Sequence, residues 1–211
     1  MTTEGEASGA SQSRSGRDRI SDAAYELFAR HGVRDVGVDA VVARAGTAKM
    51  TFYRNFPTKN DLIVSFLARR ERLWTEQWLI HESSQRGRRP AERLLAIFDL
   101  FDEWFAREDF EGCSFLTTMM EVNDPDDVVF RAAIGHLARI RSYLGDLAVE
   151  AGIDGPEDFA RQWHILMKGS IMAAHEGDRR AAAAARELGV LLLASHGLAA
   201  GPDQVRDFSP K

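Results

Sequence analysis

The sequence of 211 residues predicts an all-α protein with a small N-terminal head and a larger helical body. Two observations predict this fold class. Apolar residues recur at helical spacing along most of the chain, and no segment shows the sustained alternation that is typical of a strand. Glycine and proline residues interrupt this pattern at intervals of about one helix, which indicates where the helices end.

The head is predicted to contain three helices, and all three carry an apolar face. The first spans 17–31 and ends at Gly32, the second spans 38–45, and the third runs from its N-cap Thr47 to about residue 55. The apolar residues expected to pack together are Ile20, Ala24, Leu27 and Phe28 in the first helix, Val41 and Val42 in the second, and Phe52 and Phe56 in the third.

Six further helices are predicted in the body. Thr58 and Asp61 resemble a capping box, and Pro90 and Pro156 suit the first position of a helix. The polar stretch 83–90 is expected to be a connector. The predicted helices run from about 58 past Trp78, over 90–105, over 113–122, from 124 to about 152, from 156 to 175, and from about 179 to a point before Gly201.

Charge is distributed unevenly between the two parts. The net charge of the chain is -5, which by itself argues against a protein that binds nucleic acid. Residues 14–60 nevertheless contain nine cations and five acids, a net charge of +4, so the remainder carries -9. A basic head on an acidic body is expected when only one end meets a polyanion.

The segment TAKMTFYRNF (47–56) predicts what the head does. On a helical wheel Ala48 and Phe56 fall on the same side as Phe52, whereas the polar and cationic residues fall on the other side. Such residues can reach base edges and phosphates in a major groove. A short glycine-containing turn between 38–45 and this helix makes the pair a helix-turn-helix.

Three motifs resemble the DNA-binding domain of the TetR family of bacterial transcriptional regulators. They are AAYELFARHG (23–32), VDAVVARAG (38–46) and TAKMTFYRNFPTKNDL (47–62), and the resemblance covers 17 to about 67. The sequence differs from the family where Val36 and Gly37 replace the usual pair of hydroxyl residues. Gly37 is still an acceptable N-cap, but a hydroxyl that could contact a phosphate is lost.

The resemblance implies a domain organisation and a set of partners. The expected parts are a disordered tail at 1–16, a DNA-binding domain at 17–67 with its motif at about 37–56, a ligand-binding and dimerisation domain at 68–202, and a tail at 203–211. The implied partners are a palindromic double-stranded DNA operator, a small-molecule inducer and a second copy of the chain, held through the two C-terminal helices with help from the alanine run 181–185. The residues implied to contact DNA are Gly37, Thr47, Lys49, Met50, Thr51, Tyr53, Arg54 and Lys59.

The body contains candidates for the walls of an inducer pocket, although aromatic and methionine residues at helical spacing more often belong to an ordinary core. An apolar or aromatic inducer is expected because apolar walls with a few inward polar groups are typical of ligand pockets. The candidates are Trp74, Trp78, Phe101, Trp104, Phe105, Phe115, Met119, Met120, Trp163 and Met167, with Glu121, His136, His164 and His175 as polar members.

Other functions find little support in the sequence. Cys113 and the scattered histidines lack metal-ligand spacing, and no nucleophile, phosphate-loop or paired-carboxylate motif is present, so neither an enzyme nor a cofactor is expected. The lack of a signal or membrane-spanning pattern and the single cysteine predict a cytoplasmic protein. Two alternatives stay open: a helical ligand-binding or protein-interaction module without specific DNA binding, and a binder that ignores DNA sequence.

Overall fold

The computed structural model describes residues 14–198 and shows nine helices within that range. One of them, α4, consists of three abutting segments, of which the middle one has π-helical hydrogen bonding. The helices are α1 (Gly16–Asp35), α2 (Val38–Ala45), α3 (Lys49–Asn55), α4 (Lys59–Arg70, Glu71–Ile80 and His81–Arg86), α5 (Pro90–Phe105), α6 (Ser114–Val122), α7 (Val128–Glu150), α8 (Pro156–His175) and α9 (Ala181–Ser195). The predicted all-α fold is confirmed, whereas the predicted tails lie mostly outside the described residues.

Helices α1, α2 and α3 form the head. Ser15 caps α1, and its hydroxyl and the Asp18 carboxylate form a reciprocal capping box, so the helix begins one residue earlier than predicted. Phe28 and Phe52 are buried in the shared core, as predicted from the apolar faces of their helices. Leu27 is only partly buried against this core. The head is therefore held by apolar packing from all three helices.

Helix α1 is broken at Gly32, where the prediction placed its end. Gly32 has φ 77° and ψ 167°, a conformation that is essentially restricted to glycine. Helical hydrogen bonding resumes for one short turn up to Asp35. A Cβ atom at residue 32 would lie 1.9 Å from an Oε1 atom of Glu121, which belongs to α6 of the body. Gly32 thus permits both the break and the close approach of the body.

Helix α4 joins the head to the body without interruption. It begins with the predicted capping box, in which Thr58 Oγ1 accepts a hydrogen bond from the Asp61 N–H at 3.1 Å. It then extends to Arg86, so the first half of the expected connector 83–90 is helical. The reason is visible at Ser83, which is buried and whose hydroxyl lies 2.8 Å from the Tyr143 hydroxyl of α7. Arg86 adds a bidentate ion pair with Glu103 of α5.

The body packs α5 against the antiparallel hairpin of α8 and α9. Gly189 of α9 lies directly under the Trp163 ring, where an added Cβ atom would come within 2.9 Å of that ring. Ala181, Ala182 and Ala185 are buried within the same chain. These members of the alanine run therefore pack inside the protein and are not available to a second subunit, contrary to the expectation. Helices α5 and α8 begin at Pro90 and Pro156 as predicted.

Replacing Gly32 with alanine is expected to destabilise the protein strongly. The left-handed φ costs about 1–3 kcal/mol for a residue with a side chain, and the new methyl group would also collide with Glu121. Thermal or denaturant unfolding measures the loss.

Gly46→Ala is the comparison variant. Gly46 also has a positive φ, 59°, but an added Cβ atom would meet nothing within 4 Å. We expect Gly32→Ala to lower the free energy of unfolding more than Gly46→Ala does. Removing the Glu121 side chain from the Gly32→Ala protein should restore only the part of that loss caused by the collision with Glu121. Equal losses at the two glycines would contradict the close approach of Glu121.

Candidate nucleic-acid interface and ligand cleft

Helix α3 is fixed in the head by two aromatic side chains. Phe52 is 0% exposed and Phe56 is 2% exposed, and their ring centroids lie 6.1 Å apart. The guanidinium of Arg17 on α1 lies 4.6 Å from the Phe56 ring centroid and donates a hydrogen bond to the Asn55 carbonyl at 3.1 Å. Sequence reasoning missed this role of Arg17, which covers the ring and satisfies a carbonyl at the C-terminal end of α3.

The opposite face of α3 is open to solvent. Met50 is 78% exposed and Tyr53 is 47% exposed, and Arg54 is also exposed. Lys49 is exposed as well, but its Nζ lies 2.7 Å from the Asp39 carboxylate of α2. The side-chain hydrogen bond from Lys49 to Asp39 raises the pKa of Lys49, so the amine is charged. This face combines cations, a hydroxyl and a thioether on one side of a short helix.

Thr47 does not cap α3, so that prediction is wrong. The Thr47 N–H donates to the Val42 carbonyl at 3.2 Å and closes the last turn of α2, which moves the N-cap to Ala48. The Thr47 hydroxyl is buried and has no partner among residues 14–198. Ala48 is exposed, although the helical wheel placed it with the core residues.

Of the other three residues implied to contact DNA, Thr51 lies within α3, and Gly37 and Lys59 lie outside it. Gly37 is exposed at the N-cap of α2, where no side chain caps the helix. Thr51 is half-buried and packs close to Gly16 of α1. Lys59, the first residue of α4, is half-buried with its Nζ 3.4 Å from the Arg34 carbonyl, and burial lowers its pKa.

Glu121 connects the body to the head. Its Oε2 atom accepts hydrogen bonds from the backbone N–H groups of Val33, at 2.7 Å, and Arg34, at 3.1 Å. These amides begin the short helical turn that follows Gly32, and such free N–H groups favour a carboxylate. The prediction that Glu121 is a polar member of an inducer pocket is therefore wrong, because its carboxylate faces the head.

Five of the predicted pocket residues pack together. Trp74 contacts both Trp78 and Trp104, with ring centroids 5.3 Å apart in each pair. Phe101 and Phe105 of α5 complete the cluster. The structure thus brings the π-helical segment of α4 and the C-terminal half of α5 together through aromatic rings.

The remaining candidates lie elsewhere in the body. Phe115 stacks on His136 with centroids 5.1 Å apart, and the His136 Nδ1 lies 2.8 Å from the Glu71 carboxylate. Trp163 is completely buried between Phe98 and Phe159. The others range from buried to exposed; they are Met167, Met119, Met120 and His175.

His164 is a buried histidine on α8. Desolvation, assisted by the nearby charges of Lys168 and Arg141, lowers its pKa to about 3, so the ring is neutral. Its Nδ1 atom has no hydrogen-bond partner among residues 14–198. The Cys113 thiol is also affected by burial, which raises its pKa and makes it a poor nucleophile.

A cleft of about 710 Å³ separates the head from the body. One side is formed by α1 and the end of α2, and the other by α4, the end of α5 and the segment that follows it. Of the predicted pocket residues, three border it: Trp74, Trp78 and Trp104. Its charged lining residues are Glu26, Arg30, Arg44, Arg70, Arg107, Asp109 and Glu111.

The geometry of the head defines a class of protein. Two short helices joined at Gly46, with the second held by buried aromatic rings and exposing a polar and cationic face, form a helix-turn-helix unit braced by α1.

Within residues 14–198, no helix is long and apolar enough to cross a bilayer, and no group of three or more His, Cys, Asp or Glu side chains is placed to hold a metal ion.

Comparisons with known proteins agree with this class. The family model for bacterial regulatory proteins of the tetR family matches residues 20–66. MftR of Mycobacterium tuberculosis, named for regulation of mycofactocin biosynthesis, is 47% identical over 57 residues, which are 24% of this chain and 29% of that protein. The HTH-type transcriptional repressor KstR of Rhodococcus jostii is 40% identical over 82 residues, which are 38% of this chain and 36% of that protein.

The likeness to solved structures extends over the body. The crystal structure of a TetR-type regulator from Streptomyces avermitilis has a TM-score of 0.78 and 26% identity, and the match covers 88% of this chain and all of that one. A TetR-family regulator from Streptomyces coelicolor shares the fold, with a TM-score of 0.77 at 23% identity. Residues 20–66 thus match the TetR family of bacterial regulatory proteins, and the fold of residues 14–198 is that of solved TetR-type regulators.

Proposed function

We propose that this protein is a DNA-binding transcriptional regulator that acts as a repressor and is released from its operator by a small molecule. The observation that carries the proposal is the exposed face of α3, with Met50, Tyr53 and Arg54 held outward by the buried rings of Phe52 and Phe56. Such a face fits the major groove, where arginine can read guanine and a tyrosine hydroxyl can bind phosphate. The name of the relative KstR, a transcriptional repressor, supports this direction of control.

We propose further that the protein works as a homodimer through α8 and α9. Both helices expose large apolar side chains at helical spacing: Ile165 and Met172 on α8, and Leu188 and Leu191 on α9. Four such residues on two neighbouring helices form a patch that water solvates poorly, and a second copy would cover it in a two-fold arrangement. Two heads in one dimer then meet two half-sites of a palindromic operator.

An inducer would act by favouring one arrangement of the heads over another. The connections that cross from the body to each head include the continuous helix α4 and the contact from Glu121 to the backbone of Val33 and Arg34. A ligand that binds better to a body with displaced α4 or α6 shifts the population towards heads with the wrong spacing. The ligand needs no contact with DNA to have this effect.

The first test is specific binding of DNA. A gel-shift titration compares the intergenic DNA beside the protein's own gene with random DNA of equal length at two salt concentrations. We expect tighter binding to the intergenic DNA, and Arg54→Ala should remove about 1–3 kcal/mol of that binding free energy.

Arg131→Ala is the control, since Arg131 is an exposed arginine on α7 of the body. Equal affinity for both DNAs with a large salt dependence would instead indicate a binder that ignores sequence. Ligand binding without any DNA binding would indicate the other alternative, a helical ligand-binding or protein-interaction module.

The Lys49–Asp39 ion pair makes a second prediction. Asp39→Asn should free Lys49 for a phosphate and remove a negative charge from the face that meets DNA. Operator affinity should rise, and the slope of log K against log salt should steepen by about 0.9, the value for one added phosphate contact.

Asp126→Asn changes the net charge equally on an exposed carboxylate of the body and should alter neither quantity. Unchanged affinity and slope in Asp39→Asn would show that Lys49 makes no phosphate contact.

The apolar patch on α8 and α9 makes a third prediction. Leu191 is 66% exposed, and Leu191→Glu should place a charge in the dimer interface and yield monomers in sedimentation experiments. Met120→Glu, at a residue that is 63% exposed on α6, should leave the dimer intact. A dimeric Leu191→Glu protein would place the subunit interface elsewhere.

A further inference from the structure

We propose that the cleft between head and body binds a planar aromatic compound that carries one anionic group, such as an aryl carboxylate. The site differs from a pocket enclosed within the body, because its two sides belong to different parts of the protein. An effect of the bound compound on DNA binding rests on the proposed regulator function, whereas binding of the compound to the cleft does not.

The body side of the cleft presents an aromatic wall. Trp74, Trp78 and Trp104 contact one another with ring centroids 5.3 to 5.7 Å apart. Trp74 and Trp104 are largely buried, so they set the orientation of the wall, and Trp78 is only half-buried and offers ring surface to a ligand. Indole rings gain most from a flat aromatic partner placed in an offset stack or edge-to-face.

The charges around the cleft leave a positive excess. Arg44 is paired with Glu26, and Arg107 forms a bidentate pair with Asp109 at 2.7 and 2.8 Å. These four charges therefore neutralise one another. The charges left over are Arg30, Arg70 and Glu111.

The two remaining arginines can bind an anionic group. Arg30 has no hydrogen-bond or ion-pair partner among residues 14–198, and the same holds for Glu111. Arg70 donates one hydrogen bond to the Tyr25 hydroxyl at 3.0 Å, a neutral partner, and forms no ion pair among residues 14–198. Two guanidinium groups against one carboxylate favour an anionic ligand, and arginine is well suited to a carboxylate because it can donate two parallel hydrogen bonds.

The size and position of the cleft fit a small aromatic ligand. About 710 Å³ lies within the range of known ligand pockets, about 300–1,000 Å³. Arg30 belongs to α1 of the head, whereas Arg70 and Trp78 belong to α4. A ligand held between them contacts head and body at once, so it binds one relative arrangement better than others and shifts the population towards it.

Three probes with the same ring test the proposal: 2-naphthoate, the neutral 2-naphthamide and the cationic 2-naphthylmethylammonium. Each is titrated into the full-length protein without DNA, with calorimetry and tryptophan fluorescence as readouts. We expect 2-naphthoate to bind most tightly. Arg30→Gln should weaken 2-naphthoate by about threefold to tenfold and leave 2-naphthamide unchanged, whereas Trp78→Leu should weaken all three probes.

Arg131→Gln is the control, because it removes the same charge from an exposed side chain of α7, a helix that contributes no residue to the lining of the cleft. Equal affinities for the three probes, tightest binding of the ammonium probe, or 2-naphthoate binding that Arg30→Gln does not alter would each overturn the proposal.

Operator gel shifts without probe separate this proposal from the proposed function. If 2-naphthoate binds in a way that depends on Arg30 but the protein shows no preference for operator DNA, the proposed ligand site is supported and the proposed regulator function is overturned. If the protein binds operator DNA but has no affinity for 2-naphthoate, the proposed ligand site is overturned and the proposed regulator function stands.

Discussion

The burial of Phe52 and Phe56 is the interaction on which the rest of the head depends. Helix α3 has seven residues, too few to be stable alone in water. Its two rings fix the rotation of the helix about its own axis and so decide which side chains point outward. Replacing one buried phenylalanine by alanine costs about 3–5 kcal/mol in typical cores, which is a large share of the stability of a small domain. The exposed face therefore exists only while the opposite face is packed.

The head and body are joined in two physically different ways. Helix α4 is a covalent connection, and its π-helical segment lies where it meets the aromatic cluster of the body. Such segments are uncommon and are found mostly at functional sites. Glu121 makes a non-covalent connection through two hydrogen bonds to backbone amides. Motion of the body can reach the head through either one, and each can be altered by mutation without removing the other.

Local sequence patterns predicted the features that local interactions determine. The four-residue spacing of Phe52 and Phe56 predicted the inward face of α3, and Pro90 and Pro156 marked helix starts correctly. Thr47 was misassigned because its backbone N–H completes the end of α2, a hydrogen bond that residue preferences do not reveal. The assignment of particular side chains to DNA stays a prediction.

Local sequence patterns did not predict contacts between residues that are far apart in the chain. Glu121 is 88 residues from Val33, so only the folded chain shows that its carboxylate faces the head. The cleft likewise draws its charges from α1, α2, α4 and the segment after α5. The Glu121 carboxylate contacts only main-chain atoms of Val33 and Arg34, so the contact places no requirement on the Arg34 side chain. The contact requires instead a residue without a side chain at 32 and an acid at 121.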